Sequence, residues 1–238
     1  MDNYYIQDIK MTICDDNTYI SSLAVVKYLN KAKKLSFRQD VTFLVGENGT
    51  GKSTLIEAIA VCAGYNGEGG SKNFNFSTKQ TVSNLHQYMT IVKKAYEKDG
   101  FFLRAESFYN VASQVDDLGV GGYGKKSLHE QSHGESFLSL VQNRFRGNGL
   151  YMLDEPESAL SPLRQFTLLA EINRLVKNNS QFIIATHSAI LLAFPGATIY
   201  QITENGIEPV EYETCEHYQL TKQFLDNPKH FIKRLFTD

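Results

Sequence analysis

The chain has 238 residues, 42% of them apolar and 21% charged, with a formal net charge of −2. A chain of this length buries roughly 70–75% of its extended surface and needs no staple, and the composition argues against a largely disordered chain. Cys14, Cys62 and Cys215 are odd in number and scattered, which excludes a disulfide framework and a thiolate zinc site, while a charge so near zero gives no global field for a polyanion.

The opening "MDNYYIQDIK" has no basic segment followed by an apolar one, and no run is long enough to cross a bilayer, so a cytoplasmic location is expected. "YISSLAVVKYL" (19–29) and "DVTFLV" (40–45) read as strands from their β-branched and aromatic content. A glycine-rich turn follows the second. "STLIEAIAVCAG" (53–64) then places Leu55, Ile56, Ile59 and Ala60 at helical spacing before Gly64.

Gly46-Glu47-Asn48-Gly49-Thr50-Gly51-Lys52-Ser53 fits G-x-x-x-x-G-K-[ST] in the required context of strand, loop, helix. Its glycines let successive N–H groups face phosphates. Lys52 neutralises the β and γ oxygens, and Ser53 offers a hydroxyl to Mg²⁺. Gly46, Asn48, Gly49, Thr50, Gly51, Lys52, Ser53 and Thr54 are therefore the candidate nucleotide-binding residues.

Residues 64–84 are rich in Gly, Asn and Ser and read as an irregular or edge-strand insertion. "YMTIVKKAYEKDGFFLRAES" (88–107) reads as two strands joined at Lys98-Asp99-Gly100, with a helix over 84–97 as the alternative for its first half. A second glycine cluster, "DLGVGGYGKKS", precedes "SLHEQSHGESF" (127–137), which carries two patterns at once. His129-Glu130-Gln131-Ser132-His133 fits the zinc motif H-E-x-x-H, which demands a helix across both histidines. Gly134 and the preceding glycines oppose such a helix and favour one starting near Gly134, with Phe137, Leu138, Val141 and Phe145 on its buried face.

The last third alternates strands and helices, which implies a mostly parallel sheet with ligands at the carboxyl ends of its strands. "LYMLD" delivers Asp154 to such an end, where a carboxylate can hold the water shell of Mg²⁺, and Glu155 beside it is placed to polarise attacking water. "SPLRQFTLLAEINRLV" reads as a helix with Ser161 as N-cap and Pro162 first. "QFIIAT" ends at His187, an imidazole suited to the γ-phosphate or the attacking water. Asn205-Gly206 signals a hairpin, and the tail from Cys215 reads as two helices broken before Pro228.

This ordered set resembles the ATP-binding-cassette (ABC) class of P-loop ATPases. "GENGTGKST" corresponds to Walker A, "SHGES" to a degenerate signature loop, "YMLDEP" to Walker B, "SALS" to the D-loop and "ATHS" to the switch histidine. Within the class it resembles short stand-alone soluble bacterial ATPases related to RecF and SMC heads. The resemblance implies one α/β domain over 1–238, with a core of about 1–64 and 148–238. An antiparallel β lobe and a small helical signature lobe would lie in about 65–147.

It further implies Mg²⁺-dependent ATP hydrolysis with Lys52, Glu155 and His187 as catalytic residues and Ser53 and Asp154 at the metal. Glu106 or Ser107 stands where a glutamine near Mg²⁺ is usual. Two subunits would sandwich ATP head to tail, with Ser132, Gly134 and Glu135 reaching the partner's nucleotide and Ser158 to Ser161 lining the seam. Tyr19 and Tyr28 are candidates for stacking on adenine. DNA or a DNA-processing protein is one candidate for a further partner. The alternatives are a transporter's nucleotide-binding subunit, disfavoured by the unusual signature, and a non-hydrolysing ATP sensor.

Overall fold

A computed structural model describes residues 5–14, 18–72, 82–105 and 132–236. Its spine is a six-stranded sheet in the order β5-β6-β7-β3-β8-β9: β5 (Asp99–Arg104), β6 (Gly149–Asp154), β7 (Gln181–Ala185), β3 (Val41–Gly46), β8 (Thr198–Thr203) and β9 (Gly206–Val210). All neighbours pair in parallel except β9, which returns antiparallel on β8. β3, β6 and β7 are buried at every position. Such unbroken apolar runs are what strands covered on both faces require.

Side chains leave the sheet alternately. Phe43, Phe101, Leu103, Tyr151, Leu153, Phe182 and Ile184 point into one core. α3 (His133–Arg144) covers it with Phe137, Leu140 and Val141, and α4 (Pro162–Val176) with Leu168, Ile172 and Leu175. The intervening residues Leu44, Phe102, Met152 and Ile183 face a second core under α1 (Ala24–Ala32) and α2 (Lys52–Cys62).

A separate antiparallel sheet, β2-β1-β4, is built from β1 (Ile6–Met11), β2 (Lys34–Ser36) and β4 (Met89–Lys93). The fully buried Gln181 couples it to the spine, accepting from the N–H groups of Tyr5 and Ile6 and donating to the Ile6 carbonyl. Beyond β7 come the short α5 (Ala189–Leu192), then α6 (Glu216–Asp226) and α7 (Pro228–Leu235).

Three expectations need correction. "YISSLAVVKYL" is a 3-10 turn (Tyr19–Ser22) followed by α1, because Val25, Val26 and Leu29 form a buried helical stripe that outweighs the β-branched content. The strands of "YMTIVKKAYEKDGFFLRAES" are real but not a hairpin: β4 pairs with β1 and β5 with β6. The antiparallel lobe therefore takes β1 and β2 from the N-terminal stretch, while β5, inside the expected lobe, belongs to the spine. The hairpin near Asn205-Gly206 is present with Glu204 and Asn205 as its two loop residues, since Thr203 pairs with Gly206.

Candidate functional site

β7 lies between β3 and β6, so three carboxyl ends stand side by side and carry the glycine-rich loop, His187 and the Asp154-Glu155 pair. The loop from Gly46 to Gly51 closes on α2. Gly51 has φ 99°, and a Cβ there would meet the Val25 Cγ1 at 2.5 Å, so only glycine suits this position. Thr50 caps the turn by donating from its Oγ1 to the Glu47 carbonyl at 2.8 Å. Lys52 is buried, and its Nζ donates to the Gly46 and Glu47 carbonyls at 2.7 and 3.0 Å. Burial lowers its pKa, against the pull of Glu155 and Asp154. Asn48, Gly49 and Thr50 also border a cavity of about 730 Å³ shared with Lys27, Glu204 and Glu216.

Ser53 and Asp154, 101 positions apart, meet directly: the Ser53 Oγ donates to Asp154 Oδ1 at 2.9 Å. Burial pushes the Asp154 carboxyl up to about 6, with the Arg104 guanidinium opposing. Arg104 ends β5 and sits 3.4 Å from Asp154 and 2.8 Å from Glu57. A hydroxyl beside a buried carboxylate is an all-oxygen donor set. That set fits a small hard cation such as Mg²⁺.

Glu155 adopts a left-handed backbone (φ 50°, ψ 51°), and its N–H donates to the Ala185 carbonyl at 2.9 Å. A non-glycine residue pays for that conformation only where its surroundings hold it. The result sets Glu155 Oε1 3.6 Å from His187 Nε2. Glu157, absent from the sequence-based candidates, fastens the switch segment by accepting from the His187 N–H at 2.5 Å and the Thr186 hydroxyl at 2.7 Å. Its burial raises its pKa. The repeated acid in "DEPES" was a readable signal for it.

A second grouping surrounds the start of α3. Ser132 is extended (φ −62°, ψ 153°) and caps the helix, with Glu135 Oε2 accepting from its N–H at 3.0 Å and from its hydroxyl at 2.8 Å. The break before His133 denies the zinc pattern its helix. His129, Glu130, Glu106 and Ser107 lie outside the described residues. Arg164 of α4 joins the cap, 3.0 Å from Glu135 and 3.3 Å from the Ser132 Oγ. Gly134 passes so close that a Cβ would lie 2.8 Å from the Ala159 carbonyl. The loop between the two groupings carries Ser158, whose hydroxyl donates to the Glu155 carbonyl at 2.9 Å, and Ser161, the N-cap of α4. Tyr19 is exposed and Tyr28 half-buried in the second core.

The glycine-rich loop, the Asp154-Glu155 pair and His187 on this strand order define a P-loop ATPase of the ABC class. The family model described as "AAA domain" matches residues 24–184, and the chain belongs to that family. It is 26% identical over 172 residues to the ribose import ATP-binding protein RbsA of Bacillus cereus, covering 62% of this chain and 34% of that protein. It is also 26% identical over 174 residues to the zinc import ATP-binding protein ZnuC of Wolbachia pipientis wMel, covering 71% of each. The match thus spans about a third of the length of RbsA. Among solved structures, cbiO1 from Clostridium perfringens, part of the ABC transporter complex cbiONQ, shares the fold with TM-score 0.51 at 16% identity, over 96% of this chain and 99% of that one.

Proposed function

We propose that the chain hydrolyses ATP to ADP and phosphate, with Mg²⁺ held by Ser53 and Asp154. The observation that carries this reading is the 2.9 Å contact between the Ser53 hydroxyl and the buried Asp154 carboxylate at the end of β6. Mg²⁺ bound there supplies positive charge to the phosphate oxygens.

The chain's own groups do the rest. The backbone N–H groups of 46–53 and the Lys52 ammonium receive the β and γ phosphates, Lys52 turning from the carbonyls it now holds. Glu155 orients a water and takes its proton as oxygen attacks the γ-phosphorus. The bond from phosphorus to the bridging oxygen breaks, and ADP departs with the electron pair. His187, beside Glu155, donates to the γ-phosphate. In a head-to-tail dimer, Ser132 and Gly134 present the α3 N-terminus to the second copy's nucleotide, Glu135 holds that cap, and Ser158 and Ser161 line the seam.

Of the partners considered, the membrane subunit of an import transporter has the support of the relatives' names, and DNA has none from them. Glu155→Gln is expected to cut turnover by about 10²–10⁴-fold and to trap an ATP-bound dimer, read by light scattering. Tight ATP binding without turnover in the wild type would instead establish a sensor. Retention of the chain by an integral membrane protein on purification supports the transport reading, whereas stimulation of turnover by DNA alone overturns it.

A further inference from the structure

His187 has a second neighbour that the Walker motifs do not supply. From the first turn of α6, His217 Nε2 lies 3.0 Å from His187 Nδ1, with the ring centroids 5.1 Å apart and the planes at 51°. The tail is anchored where this happens: Cys215, just before α6, is fully buried, the Tyr212 hydroxyl donates to the Ala189 carbonyl at 3.0 Å, and the Tyr212 and Tyr218 rings pack at 4.5 Å with their planes tilted by 55°. His217 is thereby delivered to the switch histidine by a fixed element.

Only one proton can occupy the line between two facing ring nitrogens, and its placement decides what His187 offers on its other side. With the proton on His217 Nε2, His187 Nδ1 accepts, and the single proton of neutral His187 resides on Nε2. That N–H then faces the Glu155 carboxylate 3.6 Å away. With the proton on His187 Nδ1, the Nε2 lone pair would face the same carboxylate, an acceptor against an anion. Burial lowers the pKa of both rings, and the Lys52 ammonium adds to the effect.

We propose that His217 is a positioning residue for the ATPase reaction: by donating from Nε2 to His187 Nδ1 it holds the switch histidine in the Nε2–H form, as a hydrogen-bond donor to Glu155 and to the γ-phosphate. Partners of this kind, which fix the tautomer and orientation of a functional imidazole, typically change activity by about 10–100-fold when removed. The proposal rests on the hydrolysis reading for its kinetic consequence and not for the tautomer itself.

Two measurements on the full chain separate those parts. Long-range ¹H–¹⁵N spectra of the imidazoles, assigned with His187→Gln and His217→Gln, should show His187 as the Nε2–H tautomer in the wild type and a mixture of tautomers in His217→Leu. A Nδ1–H His187 in the wild type, or an unchanged spectrum in His217→Leu, overturns the proposal whether or not ATP is turned over. In steady-state kinetics, His217→Leu should lower kcat about 10–100-fold with KM for ATP unchanged. His217→Gln, which keeps an N–H donor, should restore most of the rate, and His217→Leu should add nothing in a His187→Ala background. An equal loss in that background, or no rescue by glutamine, would show that His217 merely supports the fold. A wild type without turnover refutes the hydrolysis reading and leaves the spectral result to decide the tautomer.

Discussion

Burial and Lys52 hold the pKa values of His187 and His217 below the ordinary 6.5, so the native chain binds fewer protons than the unfolded chain once the pH nears that value. The stabilising contribution of the neutral pair is present above 6.5 and is lost as pH falls through the native pKa values. Asp154 and Glu157, whose pKa values burial raises, act with the opposite sign over part of that range, so the test is a comparison: in thermal melts between pH 8 and 5, acidification should cost His217→Leu less stability than it costs the wild type. Glu157 gives a second test. Removing its carboxylate strands the His187 N–H and the Thr186 hydroxyl, so Glu157→Ala should cost about 1–3 kcal/mol in a urea melt. Residues bound by spacing to one loop, Gly46 to Ser53, were legible in the sequence because a single motif dictates them. Asp154, Glu155 and His187 were legible because strand ends collect chemistry. Arg104 and His217 were not, since each acts through a contact 30 or more residues distant and no local period encodes it, while Glu157 had only the repeated acid of "DEPES" to mark it.

Among the elements, α3 joins the signature segment to the main core through Phe137, which is fully buried. Phe137→Ala should cost about 3–5 kcal/mol, measured by chemical denaturation. The alternation of the C-terminal third is legible because parallel strands buried on both faces read as short apolar blocks between helices. The N-terminal part misleads for a related reason. In α1 two adjacent valines imitate a strand, and only the recurrence at Leu29 on the same buried face discloses the helix. β1 escapes notice because its sheet is completed by β2 and β4, and the sequence has no device announcing a partner 80 positions away.

For the molecule as a whole, the first two turns of α4 place two large apolar side chains in solvent after the Ser158 to Ser161 loop: Leu163 is 76% exposed and Phe166 56%. A head-to-tail dimer would cover them. Phe166→Asp should leave the melting of the monomer within about 0.5 kcal/mol while weakening the ATP-dependent self-association of Glu155→Gln by about tenfold or more, as read by sedimentation. Insensitivity of that association to Phe166→Asp would remove this turn from the seam.

The position of β3 has a consequence for how the chain acquires its shape. This strand is made early, is buried at every residue, and pairs only with β7 and β8, which begin at Gln181 and Thr198. Roughly the first three-quarters of the polypeptide must therefore exist before its central strand has either neighbour. Long-range parallel pairing of this kind folds slowly and leaves an apolar strand with two bare edges in the interval. Fragments ending before about residue 180 should aggregate through "VTFLVG", and a growing chain would need that segment shielded until its last strands arrive.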